Sequence, residues 1–492
     1  MKRALAALAA TLVAGAAAAA TLSGPDPSAQ AQADGCGRDQ AAIVKREGPE
    51  WAYVGDARLS GSGPLPLARW ASGVVDSPVP WLASHPAAED LPFTHAAYDV
   101  NFNVRVDAAS SGLLGGNPAA GTGNYARGGG GEEDEQSGRL HIEREETSFP
   151  AFAWPEAGDR VSVQGAWTWD CGHWSPGGER TELHPFWALW VQRALSARSP
   201  SGETEGDLLV TNASTPAGVQ EDCAHSTKGD HAAFHACVTS AGPGFHDLGG
   251  RYSFFLPTPR RPSAEARLRI RVLDEGSNSA PEVSARPTRK GVTVSFEIPG
   301  GTGRAVTVAK RVLVGWTRMP AARRPVHLRV TFQRLLVRRA MDPGCPAAAH
   351  ECGSRETTRG DQISAPPGEW LVYLDAAGIW HRLPLLHVRN GQTVELGRSV
   401  DLYLPGGRPW RVLVFTRECD FGALHIAPCP ASSEFASGEG DDDPGVALVR
   451  FRSPEASLGE HRVDARLDSG STCPPSNRHG CYRMTFRVQR VR

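Results

Sequence analysis

Apolar and polar residues alternate along much of the chain. Val100, Phe102, Val104 and Val106 are separated by Asn101, Asn103 and Arg105. Leu268, Ile270 and Val272 are interleaved with Arg267, Arg269 and Arg271. Val292, Val294, Phe296 and Ile298 repeat the pattern, as do Leu328, Val330 and Phe332. The chain ends on the same alternation through Tyr482, Met484, Phe486 and Val488. Successive side chains of a strand point to opposite faces, so a period of two predicts half-buried antiparallel strands. Barrels and sandwiches bury such faces. The predicted fold class is all-β, and the 54 glycines and 38 prolines agree, because they interrupt long helices.

Breaks in the alternation divide the chain. Residues 108–138, with the run GGGGEEDEQSG, are expected to form a surface loop that buries no core. The segment 196–206, SARSPSGETEG, reads as a linker and places a boundary near residue 200. More strands follow, with one short helix expected at 229–237 and a joint or strand connection at 320–325. Strands around Trp370, Val394, Leu402, Val412, Val446, Val463 and Phe486 complete the chain. Its length is too great for one core. The expected division is a small β-barrel domain over 34–200, a β-rich sandwich domain or sandwich half over 201–325, and a C-terminal β-sandwich over 326–492.

The first 33 residues read as a secretory signal: Lys2 and Arg3, the apolar stretch Leu5–Ala20, and an A-x-A cleavage site at Ala31-Gln32-Ala33. No later segment is apolar enough to predict a membrane span in the mature protein. An exported, periplasmic or extracellular protein is expected. Its ten cysteines are then expected to be oxidised. Short spacings pair Cys223 with Cys237, Cys345 with Cys352, Cys419 with Cys429 and Cys473 with Cys481, which leaves Cys36 and Cys171. No C-x-x-C spacing favours a zinc cluster of cysteines. The net charge of −2 lacks the basic surplus that a general nucleic-acid binder needs.

The densest chemistry lies in residues 165–185, GAWTWDCGHWSPGGERTELHP, which hold Asp170, His173, Glu182 and His184. The local pattern is strand, turn, strand. Glu182 and His184 lie two apart and share a face of the returning strand, while Asp170 and His173 sit where the first strand opens. His95 and Asp99, in THAAYDVN, can join from a neighbouring strand. Imidazoles and carboxylates in this combination suit zinc or another divalent transition metal, and a metal with an open position activates water. The competing reading has these residues capping strand ends, with Trp167, Trp169 and Trp174 filling the core.

The pieces YDVNFNVRVD, GDRVSVQGAWTWDCGH and TELHP resemble a secreted bacterial and archaeal family with an acidic or histidine-bearing strand, then GDxVxVxGxWVxDxxH, then E-I/L-H-P. The resemblance spans His95 to Pro185. It implies a small closed barrel of the oligonucleotide/oligosaccharide-binding type and no particular reaction. Further on, Asp342 in MDPG, Glu418 and Asp420 in RECD, and Asp441, Asp442 and Asp443 in GEGDDDPG gather carboxylates at strand ends. Calcium prefers six to eight such oxygens. With GEWLVYLDAAGIW and YRMTFRV, this part resembles secreted calcium-binding β-sandwich modules; a solvated acidic loop is the other reading.

His231 and His235, with His225 nearby, are spaced i, i+4 on the expected helix but lack the acidic partner of a zinc helix, and a solvated face is expected there. Arg359-Gly360-Asp361 and the sequon at Asn212 are short enough to arise by chance. No G-x-S-x-G elbow, P-loop or dinucleotide fingerprint is present. The leading expectation is an exported, non-catalytic binding or envelope-associated protein that takes an envelope polymer or oligosaccharide. The alternative is a metal-dependent hydrolase, of phosphoesterase or nuclease type, centred on His173 and His184.

Overall fold

The computed structural model describes residues 51–54, 69–76, 99–126, 138–145, 150, 152–175, 178–211, 213–214, 244–245, 249–277, 281–300, 306–317, 324–340, 368–384, 386–418, 445–466 and 481–491. The first strands are β1 (Trp51–Tyr53), β2 (Arg69–Val75), β3 (Asp99–Val106), β4 (Arg139–Glu145), β5 (Arg160–Ser175), β6 (Gly178–Arg193) and β7 (Thr204–Thr211). Five of them close a ring. β2 pairs with β3 and β3 with β4, all antiparallel. β4 then runs parallel to β6, β6 pairs antiparallel with β5, and β5 returns to β2. This is the small closed barrel that the sequence led us to expect.

The alternation explains the barrel. Phe102 and Val104 on β3, Leu140 and Ile142 on β4, Val161, Val163, Trp167 and Trp169 on β5, and Leu183 and Phe186 on β6 share one buried core. β5 and β6 form one long hairpin, longer at its tip than the local pattern predicts. Midway, Gly165 sits where a Cβ would come 2.8 Å from the Pro185 carbonyl oxygen and 2.9 Å from Phe186 Cα, so only glycine lets the arms approach.

The expectation of a coreless loop over 108–138 is corrected for the residues described. Ala108–Leu113 and Gly123–Tyr125 are 3₁₀ turns, and Leu113 and Leu114 join the barrel core. Asn124, fully buried, accepts from the amides of Gly115 and Thr181 and donates to the carbonyls of Arg139 and Thr181. Two leucines and one asparagine are enough to pack a segment that is otherwise polar and glycine-rich.

Across the expected boundary near residue 200 the sheet is continuous, because β7 pairs with β6. Next come β8 (Ala213–Ser214), β9 (Gly244–Phe245), β10 (Gly250–Pro257), β11 (Leu268–Asp274), β12 (Ser284–Pro287), β13 (Gly291–Ile298) and β14 (Thr307–Trp316). β14 and β11 extend the barrel sheet beyond β7, while β10, β13 and β12 form a separate sheet. The two pack through Trp190, Leu208, Val210, Phe254, Val294 and Val312.

The last strands are β15 (Val326–Arg339), β16 (Gly368–Ala376), β17 (Ile379–Arg382), β18 (Leu386–Val388), β19 (Thr393–Leu404), β20 (Trp410–Glu418), β21 (Val446–Phe451), β22 (Gly459–Asp464) and β23 (Cys481–Arg490). The order β19-β15-β23-β22 makes one sheet and β17-β16-β20-β21 another. Both supply one core, which includes Phe332, Trp370, Val414, Tyr482 and Phe486. This is the C-terminal sandwich. It meets the barrel where Trp380 Nε1 donates to Glu156 at 3.2 Å and the Tyr403 amide donates to the Ala197 carbonyl at 2.8 Å. Among the described residues no helix is long and apolar enough to cross a membrane.

Candidate functional site

Alternation also places the site. On β4, Leu140 and Ile142 enter the barrel core, so His141 and Glu143 take the opposite face. On β6, Leu183 enters the core, so Glu182 and His184 take that same opposite face. The parallel register sets His141 beside Glu182. Antiparallel pairing then adds Asn103 of β3 beside His141 and Thr168 of β5 beside Glu182. A polar row thus crosses four strands, and all of it is buried.

Hydrogen bonds fix its members. His184 Nδ1 lies 3.1 Å from Glu182 Oε1 and 3.7 Å from Glu143 Oε2. His141 Nε2 lies 3.6 Å from Glu143 Oε2, and His141 Nδ1 lies 3.0 Å from Asn103 Oδ1. An amide oxygen only accepts, so in this contact Nδ1 is the donor. Thr168 Oγ1 reaches Glu182 Oε1 at 3.5 Å. Glu182 Oε2 is buried and has no hydrogen-bond partner among the described residues.

Burial pushes the Glu182 carboxyl above its usual range; nearby Asp170 and Glu143 push the same way, and the His184 hydrogen bond opposes them. His141, Glu143 and Glu182 each offer a ligand atom, all within 4.8 Å of one another. Such a group can hold a metal ion. Its nitrogen and carboxylate donors, without thiolate, suit zinc, manganese or iron.

Of the residues singled out from sequence, Glu182 and His184 come together here. Asp170, buried beside them, turns instead to Arg180, whose Nε is 2.7 Å from its Oδ2; the hairpin register sets the two opposite each other. Asp99 and His173 lie on β3 and β5, but their side chains are outside the described residues, as is His95. His141 and Glu143 escaped the sequence reading. Their signal was present in RLHIERE, where they alternate with Leu140 and Ile142 as Glu182 and His184 do around Leu183.

Asp342, Asp420, Asp441, Asp442 and Asp443 lie outside the described residues, and Glu418 is described only as the last residue of β20. Cys36, Cys223, Cys237, Cys345, Cys352, Cys419, Cys429 and Cys473 lie outside them too, and so does the expected helix at 229–237. Cys171 is described only as part of β5. Cys481 lies at the start of β23 and is buried.

No protein-family model matches the chain, and no curated protein matches it. Solved structures of C2 domains are similar at low levels. The first C2 domain of a plant extended synaptotagmin 1 is 8% identical over 35% of this chain and 99% of its own, with a TM-score of 0.19. Another C2 domain is 12% identical over 34% of this chain and 99% of its own, with a TM-score of 0.17. The calcium-bound pair of C2 domains of extended synaptotagmin 2 is 8% identical over 64% of this chain and 77% of its own, with a TM-score of 0.18. Likeness at these TM-scores supports no conclusion about this chain.

Proposed function

We propose that this is an exported, non-catalytic metal-binding protein whose barrel holds one divalent transition metal ion, with zinc the leading candidate. His141 Nε2, Glu143 and Glu182 Oε2 are the ligands, while Asn103 and His184 hold them in place. The observation that carries this reading is Glu182 Oε2, a carboxylate oxygen with no hydrogen-bond partner among the described residues, inside a buried group of candidate ligands. Two neighbouring carboxylates are costly to bury as anions, and a dication offsets both charges. Partners that orient ligand groups recur around metal sites.

The hydrolase alternative requires a coordination position open to water and substrate. His141, Glu143, Glu182 and His184 are all buried, which favours the non-catalytic reading. Export, disulfide pairing and an envelope polymer as partner remain proposals from the sequence. Elemental analysis of the full chain, purified without chelator and then dialysed against zinc, manganese or iron(II), tests the metal. One equivalent that is lost in Glu182→Gln and His141→Ala is expected. No stoichiometric metal in the wild-type chain rejects the reading.

A further inference from the structure

The barrel is a ring, and its junctions differ in length. β3 and β4 pair from Asp99↔Glu145 through Arg105↔Arg139, and β5 and β6 pair along most of their hairpin. Between β4 and β6 the register consists of His141↔Glu182 and Ile142↔Leu183 among the described residues. That junction is also the ring's parallel one, a pairing slightly weaker per residue than an antiparallel one. It joins strands far apart in sequence, so no tight turn holds it. The candidate ligands straddle this junction, with His141 and Glu143 on β4 and Glu182 and His184 on β6.

We infer that the metal is the clasp that closes the barrel between β4 and β6. This rests on the metal reading above and adds its role. The ion joins His141 Nε2 and Glu143 on one edge of the seam to Glu182 Oε2 on the other. Asn103 extends the link to β3 through its 3.0 Å contact with His141, and Thr168 extends it to β5. Side chains and ion then bridge where the backbone ladder is shortest. Without the ion, two buried carboxylates face each other across the seam and favour its opening. The C-terminal sandwich has its own core, which contains none of the candidate ligands.

Hydrogen exchange on the full chain, after chelator dialysis and again with zinc chloride, reads this out directly. Binding to the closed form alone reduces opening by the factor one plus the ratio of free metal to Kd, about a hundredfold at 100 times Kd. Amides of 140–144 and 181–184 are therefore expected to exchange about a hundredfold more slowly with zinc, while those of β15 and β23 stay unchanged. Stoichiometric zinc without slowing at β4 and β6, or with equal slowing in β15 and β23, overturns the clasp and leaves the metal site standing. Failure to bind zinc, measured on the same samples, removes the site and the clasp together. No variant is required, so a folding defect cannot obscure the result.

Discussion

His184 Nδ1 stands 3.1 Å from Glu182 Oε1, and the other oxygen of that carboxylate has no hydrogen-bond partner among the described residues. Two residues apart on one strand, they share a face, and the histidine holds one oxygen while the second stays available. This separates their roles. Glu182→Ala removes a ligand and is expected to abolish stoichiometric zinc binding. His184→Ala removes an orienting partner and is expected to weaken binding about 10–100-fold without abolishing it. Calorimetric titration of both variants checks the difference. Equal affinities in His184→Ala and wild type would show that the histidine does not position the ligand.

Half of this site was legible in the sequence. Glu182 and His184 are visible because a hairpin is local and two-residue spacing reports a shared face. His141 and Glu143 follow the same rule in RLHIERE, but the parallel pairing that brings β4 to β6 leaves no trace in local alternation. In the sequence Asp170 groups with the ligands because its distance along the chain is small. The register opposite Arg180 makes it half of an ion pair instead. The all-β class was easier, since Val292, Val294, Phe296 and Ile298 bury the side their spacing predicts. Leu113 and Leu114 are not legible in the sequence, because the polar and glycine residues around them hide two side chains that join the barrel core.

Asp159 gives a pH dependence. Burial pushes its carboxyl up to about 6, with Arg193 opposing and Glu156 and Glu205 reinforcing. An acid whose folded pKa is raised keeps its proton longer in the native state, so stability falls as pH rises through that range. Between about pH 4 and 6 this group is expected to withdraw about 2–3 kcal/mol. Asp159→Asn should flatten that part of the curve. Asp375 is held well above the usual range by burial and nearby Glu156, so a residual slope in the same direction remains. Urea unfolding at several pH values decides the matter; parallel curves for variant and wild type would reject the assignment.

Gly206 of β7 lies against Trp190 of β6, where an added Cβ would overlap the indole ring. Trp190 is fully buried and stacks on Phe254 with centroids 5.2 Å apart, so the ring has no free space to enter. Gly206→Ala is expected to cost about 1–3 kcal/mol through overpacking. Thermal or urea denaturation measures it. A variant as stable as wild type would mean that this core yields more readily than its packing indicates.

The calcium expectation drawn from the sequence of the C-terminal part is tested by thermal stability. An ion that binds only the folded form raises the melting temperature by mass action. Millimolar calcium is expected to raise the melting temperature of the chelator-treated chain, and Asp442→Asn is expected to reduce that gain. An unchanged melting temperature rejects a structurally important calcium site and leaves the solvated acidic loop.

Tyr482 ties the two sheets of the C-terminal sandwich together. It sits on β23, in the sheet with β15, yet its hydroxyl lies 2.7 Å from the Val414 carbonyl of β20 and 2.9 Å from the Gly445 carbonyl beside β21. The same oxygen accepts from the Ala447 amide at 3.3 Å. Its ring fills the core against Trp370, edge to face at 5.9 Å. Tyr482→Phe keeps the ring and removes the tie. Because the groups it serves are buried, the loss is expected to cost about 1–3 kcal/mol, more than an exposed hydroxyl would. Faster exchange at the Ala447 amide should accompany it, since that donor loses its acceptor. Unchanged stability together with unchanged exchange at Ala447 would show that packing alone holds the sheets.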